Sequence, residues 1–211
     1  MDDKFSKFFR RFYILIFFTV FILYSGLAIL APVLMHYHFE TPAKILYGGY
    51  RFMCHQLPYR SFFLFGEQYY YPLQEINQNK TILSFEEASG IESVDFKEIR
   101  EFVGNSQMGY KVAICQRDLA IYLAIAVFCL LYFISNYRLP RIHWLVWLIL
   151  GLLPMTWDGL TQMASHILPS LGPIRESTPI IRVLTGSSFG FFTAWFLFPY
   201  LEYVFRNQEK S

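Results

Sequence analysis

Two short stretches hold most of the side chains that could do chemistry. Met53 to Gly66 supplies Cys54, His55, Gln56 and Arg60, and Ile114 to Asp118 sets Cys115, Arg117 and Asp118 at the head of a long apolar segment. Together Cys54, His55, Cys115 and Asp118 offer two thiolates, an imidazole and a carboxylate. That donor set suits Zn²⁺ or another transition metal, and the Cys-x-x-Asp spacing puts two ligands one helical turn apart. Adjacent Cys54 and His55 reach one ion only if the backbone turns sharply, which Pro58 nearby permits. Two other readings stay open beside the metal: a Cys54–Cys115 disulfide in an oxidising compartment, and plain apolar packing of each thiol. Cys129 sits mid-span and is assigned to packing.

The elements that must position these groups are membrane helices. Of the 211 residues 55% are hydrophobic, 20% aromatic and only 16% charged, and mean hydropathy is positive, too apolar for an ordinary water-soluble domain. A net charge of +2, with no basic stripe, excludes nucleic acid as a partner. Three cysteines are too few for a disulfide-stapled scaffold, and there is no Gly-rich phosphate loop, Ser-His-Asp order or His-Glu-x-x-His pair.

The expected fold class is all-α, a polytopic membrane protein with four transmembrane helices at about 12–34, 119–135, 142–163 and 182–204. The chain is read as a single membrane domain, 1–211, with a mainly polar, partly helical extracytoplasmic insertion at about 67–108. The apolar runs are continuous, so they are not the alternating strands of a β-barrel. The first run is too long, and lacks the small-residue site, for a cleaved signal peptide. Ala120, Ala124, Gly151, Gly186, Gly190 and Ala194 would let helices approach closely, and Pro154 would kink the third span.

Lys4, Lys7, Arg10 and Arg11, then Arg138 and Arg141, then Arg206 and Lys210, fall on one side of such a bundle. The positive-inside rule makes that side cytoplasmic, with both termini inside and the protein in the plasma membrane. Thr41 and Pro42 look like the cap and first position of a surface helix running from Ala43 to about Met53. Ser84 with Glu87 reads as a capping box, and Phe96, Ile99 and Val103 as one face of a short amphipathic helix. Asn79-Lys80-Thr81 fits a glycosylation sequon. Tyr69, Tyr70 and Tyr71 fit an interfacial aromatic belt.

This topology gathers a supporting polar cluster, Gln56, Arg60, Arg117, Asp158, His166 and Arg182, around the same outer face. A charge at membrane depth costs about 2.5–3.5 kcal/mol, so such groups should face the bundle interior and pair. Asp158 with Arg182 is the expected ion pair, Arg60 and Arg117 are expected to bind lipid phosphates or brace the carboxylates, and His166 is an extra ligand candidate. His36, His38 and His143 are discounted. A catalytic metal would need an open position, with Asp118 or Asp158 as proton acceptor. Membrane lipids are the expected partners, with another membrane protein reached through the insertion as a further one.

Cys54-His55-Gln56, Arg60-Ser61-Phe62-Phe63, Cys115 heading a helix with Arg117 and Tyr122, Asp158-Gly159, and Arg182 with Thr185-Gly186 together resemble the prokaryotic integral membrane proteins grouped as domain of unknown function 2085. The likeness runs from about Gly49 to Gly190 apart from the insertion. In that family the second half-motif commonly reads Cys-x-Arg-Cys, so Asp118 stands where relatives have a cysteine. The exchange keeps a metal ligand and removes a thiol pair. The resemblance implies a fold and a shared motif and no activity.

Overall fold

The computed structural model describes residues 3–74, 81–91, 95–168 and 174–208, with side chains described for these apart from residues 3–11, 206 and 208. It is 67% helix. In chain order the elements are α1 (Asp3–His36), α2 (Glu40–Tyr50), a 3₁₀ turn (Pro58–Arg60), β1 (Ser61–Leu64), α3 (Phe85–Ser89), α4 (Phe96–Glu101), β2 (Gly104–Asn105), β3 (Gly109–Cys115), α5 (Gln116–Ile134), α6 (Trp144–Val146), a π-helical stretch (Trp147–Leu152), α7 (Leu153–Ile167) and α8 (Pro179–Gln208).

Four helical stretches are long and apolar enough to cross a membrane: Phe12–His36, Gln116–Ile134, Trp144–Ile167 and Pro179–Phe205. All four extend towards the site end beyond the boundaries expected from sequence. The expected starts of α5 and α8 stop at charges, but backbone hydrogen bonding does not, once Arg117 and Arg182 have partners within the bundle. The large exposed side chains of the spans are mostly apolar, Leu23 and Leu184 among them, as a lipid environment requires.

α5 and α8 pack most intimately, through glycine. A Cβ on Gly186 would stand 2.6 Å from the Arg117 carbonyl oxygen, and one on Gly190 would stand 2.3 Å from that of Ile121. At the opposite end of the bundle Tyr13, Phe128, Cys129, Tyr132, Ala194 and Phe198 form an apolar core, which places Cys129 in packing as its mid-span position suggests.

The third span is continuous through α6, the π-helical stretch and α7, and Pro154 accounts for its middle. Proline has no N–H to give the carbonyl four residues back, so the Leu150 oxygen loses its helical donor. The Ser188 hydroxyl of α8 donates to that oxygen instead. Trp147 Nε1 adds a second link to α8, donating to Thr193 Oγ1 at 3.1 Å.

What the all-α expectation omits is a small antiparallel sheet in the order β1-β3-β2. Its register pairs Ser61 with Cys115, Phe63 with Lys111 and Leu64 with Tyr110, with an irregularity between Ser61 and Phe63. α2 lies against α1 and β3, burying Ala43, Tyr47 and Tyr50 with Ala28, Ala31 and Val112 to Ile114. It begins at Glu40, ahead of the expected Thr41 cap.

The capping box forms as read, since the Glu87 amide donates to Ser84 Oγ and the Ser84 amide to the Glu87 carboxylate. α4 ends at Glu101, so Val103 lies beyond it. The insertion is more than a polar cap. Phe63, Tyr71, Phe85, Ala88 and Met108 give it a core of its own, so of the three tyrosines Tyr71 is buried, Tyr70 is half-buried and Tyr69 is exposed as a belt residue would be. Asn79 and Lys80 of the sequon lie outside the described residues.

Candidate metal centre

Strand pairing is what joins the two half-motifs. Because Ser61 of β1 faces Cys115 of β3, the loop that precedes β1 is held over the N-terminus of α5. Gln116 Nε2 donates to the Ser61 carbonyl at 3.0 Å and closes the same junction. The sharp turn expected near Pro58 occurs at Gln56, whose φ is +53°, a left-handed conformation that a non-glycine residue adopts only when its surroundings fix it. Here they do: Gln56 Nε2 donates to the Tyr47 carbonyl at 2.9 Å, and Lys111 Nζ donates to the Gln56 carbonyl at 2.7 Å.

That turn sends neighbouring side chains apart. Cys54, Cys115 and Asp118 place one donor atom each within 4.8 Å of one another. His55 does not join them. It is solvent-exposed, with its ring edge-on to Phe96 at 6.2 Å, because consecutive side chains of a non-helical chain diverge. Of the four donors expected from sequence, three converge, from two chain segments.

Hydrogen bonding sets the two sulfurs apart. The Cys115 amide donates to Cys54 Sγ at 3.4 Å, and Cys115 Sγ in turn caps α5 by accepting the Asp118 amide at 3.4 Å. A hydrogen bond from Cys115 lowers the Cys54 pKa, while that same bond and burial raise the Cys115 pKa well above the ordinary thiol value. The pair is therefore asymmetric: Cys54 is the readier of the two to ionise, and Cys115 is the donor to it. The group opens on a cavity of about 300 Å³, whose lining includes Arg60, Arg117, Gln162 and Arg182 as well as the three donors.

Around the cavity the charges pair differently from the expectation. Asp158 does not meet Arg182. Its Oδ2 accepts from Arg117 Nη2, and its Oδ1 accepts from Ser177 Oγ and, at 3.0 Å, from Arg175 Nη2. With both oxygens engaged and Asp158 outside the cavity lining, it is a brace rather than a proton acceptor.

Arg182 pairs instead with Glu176 at 2.5 Å and donates to the Tyr59 carbonyl and to Gln116 Oε1. Glu176 also takes Arg60 in a two-pronged contact, Gln162 Nε2 at 3.2 Å and His166 Nε2 at 3.2 Å. His166 is thus drawn to this carboxylate and away from the thiols. Burial opposes ionisation of Glu176, but Arg60, Arg182 and His166 outweigh it and hold the carboxyl below its ordinary pKa.

Sequence reasoning missed Glu176, Arg175, Ser177 and Lys111. The first three sit in a loop with no periodicity, where only the charge alternation Arg175-Glu176 hints at pairing. Lys111 lies in an apolar strand, where an isolated cation flanked by Val112, Ala113 and Ile114 is the available signal.

Comparison with known proteins gives a likeness and no activity. The chain is 26% identical over 167 residues to an uncharacterised protein of Methanocaldococcus jannaschii, covering 77% of this chain and 72% of that one. No solved structure matches significantly. Residues 106–196, which carry Cys115, Arg117, Asp118, Asp158 and Arg182 but not Cys54, match the model of the family described as "Predicted membrane protein (DUF2085)", the family that the motifs of this chain resemble.

Proposed function

We propose that this multi-pass membrane protein holds a zinc-class transition-metal ion on its extracytoplasmic face, with Cys54, Cys115 and Asp118 as ligands and a fourth position open to the cavity. The observation that carries the reading is the convergence of two sulfurs and a carboxylate within 4.8 Å of one another. Zinc binds thiolate at about 2.3 Å and carboxylate at about 2.0–2.2 Å, so small side-chain adjustments bring three such donors onto one ion. Backbone amides already donate to both sulfurs, as thiolate ligands require. Three protein ligands plus a free position is the pattern of reactive zinc sites, where bound water ionises near neutral pH.

The side assignment rests on charge. Arg138 and Arg141 lie in the turn at the end of the bundle opposite the thiols, with the basic N-terminal residues, and positive charge beside spans is retained in the cytoplasm. In this arrangement both termini are cytoplasmic, the membrane is the plasma membrane, lipids surround the spans, and the insertion faces outward where another membrane protein could reach it.

Elemental analysis of the purified protein tests the metal. Wild type should retain about one equivalent of a transition metal and Cys115→Ser well under a third of that, while both melt cooperatively. Equal metal in the two, or none in either, rejects the site. The nearness of the two sulfurs also favours a second reading, a Cys54–Cys115 redox pair. Thiol labelling separates the two: metal thiolates become reactive on chelation without reductant, and a disulfide only on reduction.

A further inference from the structure

α2 runs back along α1 instead of lying across the end of the bundle. The hydroxyl of Tyr50, at its C-terminal end, donates to the Tyr24 carbonyl, and the two rings meet edge-on at 4.9 Å. Tyr24 stands about 18 Å back from the end of α1 at His36. Its ring also packs on Tyr122, at 4.7 Å, which lies more than one turn inside α5. The tip of α2 is thereby brought down beside the spans.

The exposed side chains of α2 change from charged to apolar in the same direction. Glu40 and Lys44, an exposed pair at 2.7 Å, stand at its start. Towards the tip Ile45 is 69% exposed, Phe52 91% and Met53 70%, with Ile45, Gly49 and Phe52 following at helical spacing. α2 packs on Tyr24, Ala28 and Ala31 of α1, and the exposed apolar stripe Leu23, Leu27 and Leu30 lies one residue round that helix, so the lipid-facing surface of α1 continues onto α2. The other flank of the tip is polar, where Arg51 meets Glu101 at 3.3 Å and the His55 ring stands edge-on to Phe96. The boundary between head groups and acyl chains takes an apolar face of this kind to a depth of about 5–10 Å.

The same tip forms one lip of the thiol cavity. Among the cavity's lining residues only Met53 and His55 are exposed, so the opening lies between an apolar lip and a polar one. We propose that Ile45, Phe52 and Met53 sit in the leaflet at the site end of the bundle, so that the cavity opens at the lipid boundary and is reached from the membrane by amphipathic molecules. At about 300 Å³ the cavity takes the polar group of such a molecule, and the apolar chain leaves over Met53 and Phe52. The inference goes beyond the metal reading and does not depend on it, because the opening is the same whether the thiols hold an ion, a disulfide or neither.

The test uses the full chain in phosphatidylcholine nanodiscs, which leave both faces open. Photoreactive benzoylphenylalanine replaces Ile45, Phe52 or Met53 one at a time, with Leu23 as the lipid-facing reference and the exposed Lys97 of α4 as the aqueous one. On irradiation, positions 52 and 53 should gain the mass of phosphatidylcholine at least half as often as position 23, and position 97 less than a tenth as often. Both side chains are exposed, so these replacements leave the packing alone. No lipid adduct at 52 and 53 overturns the proposal, and a cross-linked dimer there also overturns it by assigning the face to a second copy of the chain.

A second arm reads the opening itself. After reduction and chelation, a maleimide with a dodecyl chain should alkylate Cys54 at least tenfold faster than a sulfonated maleimide, each rate corrected by that with a free thiol in solution. Replacing the apolar lip, in the double variant Phe52→Asp and Met53→Asp, should cut that advantage several-fold. Equal corrected rates in wild type, or an advantage that the double variant leaves unchanged, overturn access from the membrane. Because metal and disulfide are removed beforehand, neither result turns on the metal reading.

Discussion

Lys111 Nζ has two carbonyl oxygens in reach, Gln56 at 2.7 Å and Arg100 at 2.8 Å, and no carboxylate partner among the described residues. A neutral amine has two N–H groups, which is what two acceptors need. Burial, with Arg51 and Arg100 nearby, lowers its pKa to about 7. An unfolded lysine titrates near 10.4, so between the two values the unfolded chain binds the extra proton and stability rises with pH; below about 7 the penalty is present in full. The unfolding free energy of wild type minus that of Lys111→Met should therefore climb by about 1.4 kcal/mol per pH unit from pH 7.5 to 9 and flatten below pH 6. Denaturant titrations across that range read it directly, and parallel curves would mean that the lysine stays charged.

Among the elements, the contact between α5 and α8 leaves the least room for change. Gly190→Ala places a methyl 2.3 Å from the Ile121 carbonyl oxygen, so the helices must separate, at a cost of about 1–3 kcal/mol and a lower melting temperature in detergent. A variant that melts with wild type would show that the helices are not this close. The third span offers a milder case. Ser188→Ala returns the Leu150 oxygen to an unpaired state in an apolar medium, and interhelical hydrogen bonds of this kind contribute about 0.5–1.5 kcal/mol. Combining Ser188→Ala with Pro154→Ala, which restores the helical donor, should recover most of that loss.

At the scale of the whole molecule, Glu176 fastens the 3₁₀ turn through Arg60, α7 through Gln162 and His166, and α8 through Arg182. Glu176→Gln leaves two arginines short of a counter-charge and should cost about 3–5 kcal/mol, with Cys54 and Cys115 alkylated faster as the site end loosens. The carboxyl's pKa is held below its ordinary value, so its contribution is complete above about pH 4.3 and fades as pH falls through the folded value. Wild type should accordingly lose melting temperature on acidification more steeply than Glu176→Gln. Equal slopes would separate Glu176 from the acid response.

Composition and run length determined the four apolar helices, because in lipid every backbone polar group must be satisfied within its own segment and only long uncharged runs can do so. They also determined that the charges would gather at the ends of the bundle, since charge is costly anywhere deeper. Which charges meet was decided by the tertiary structure: Asp158 takes Arg117 and Arg175, and Arg182 takes Glu176, because reach and direction across a bundle depend on helix rotation and on a loop without periodicity. The same holds for the thiol site. Cys54 and Cys115 are legible as candidates, but the Ser61–Cys115 register and the left-handed turn at Gln56 bring Cys54 in and leave His55 outside, and a four-residue strand paired with one far along the chain leaves too weak a local pattern to be read in advance.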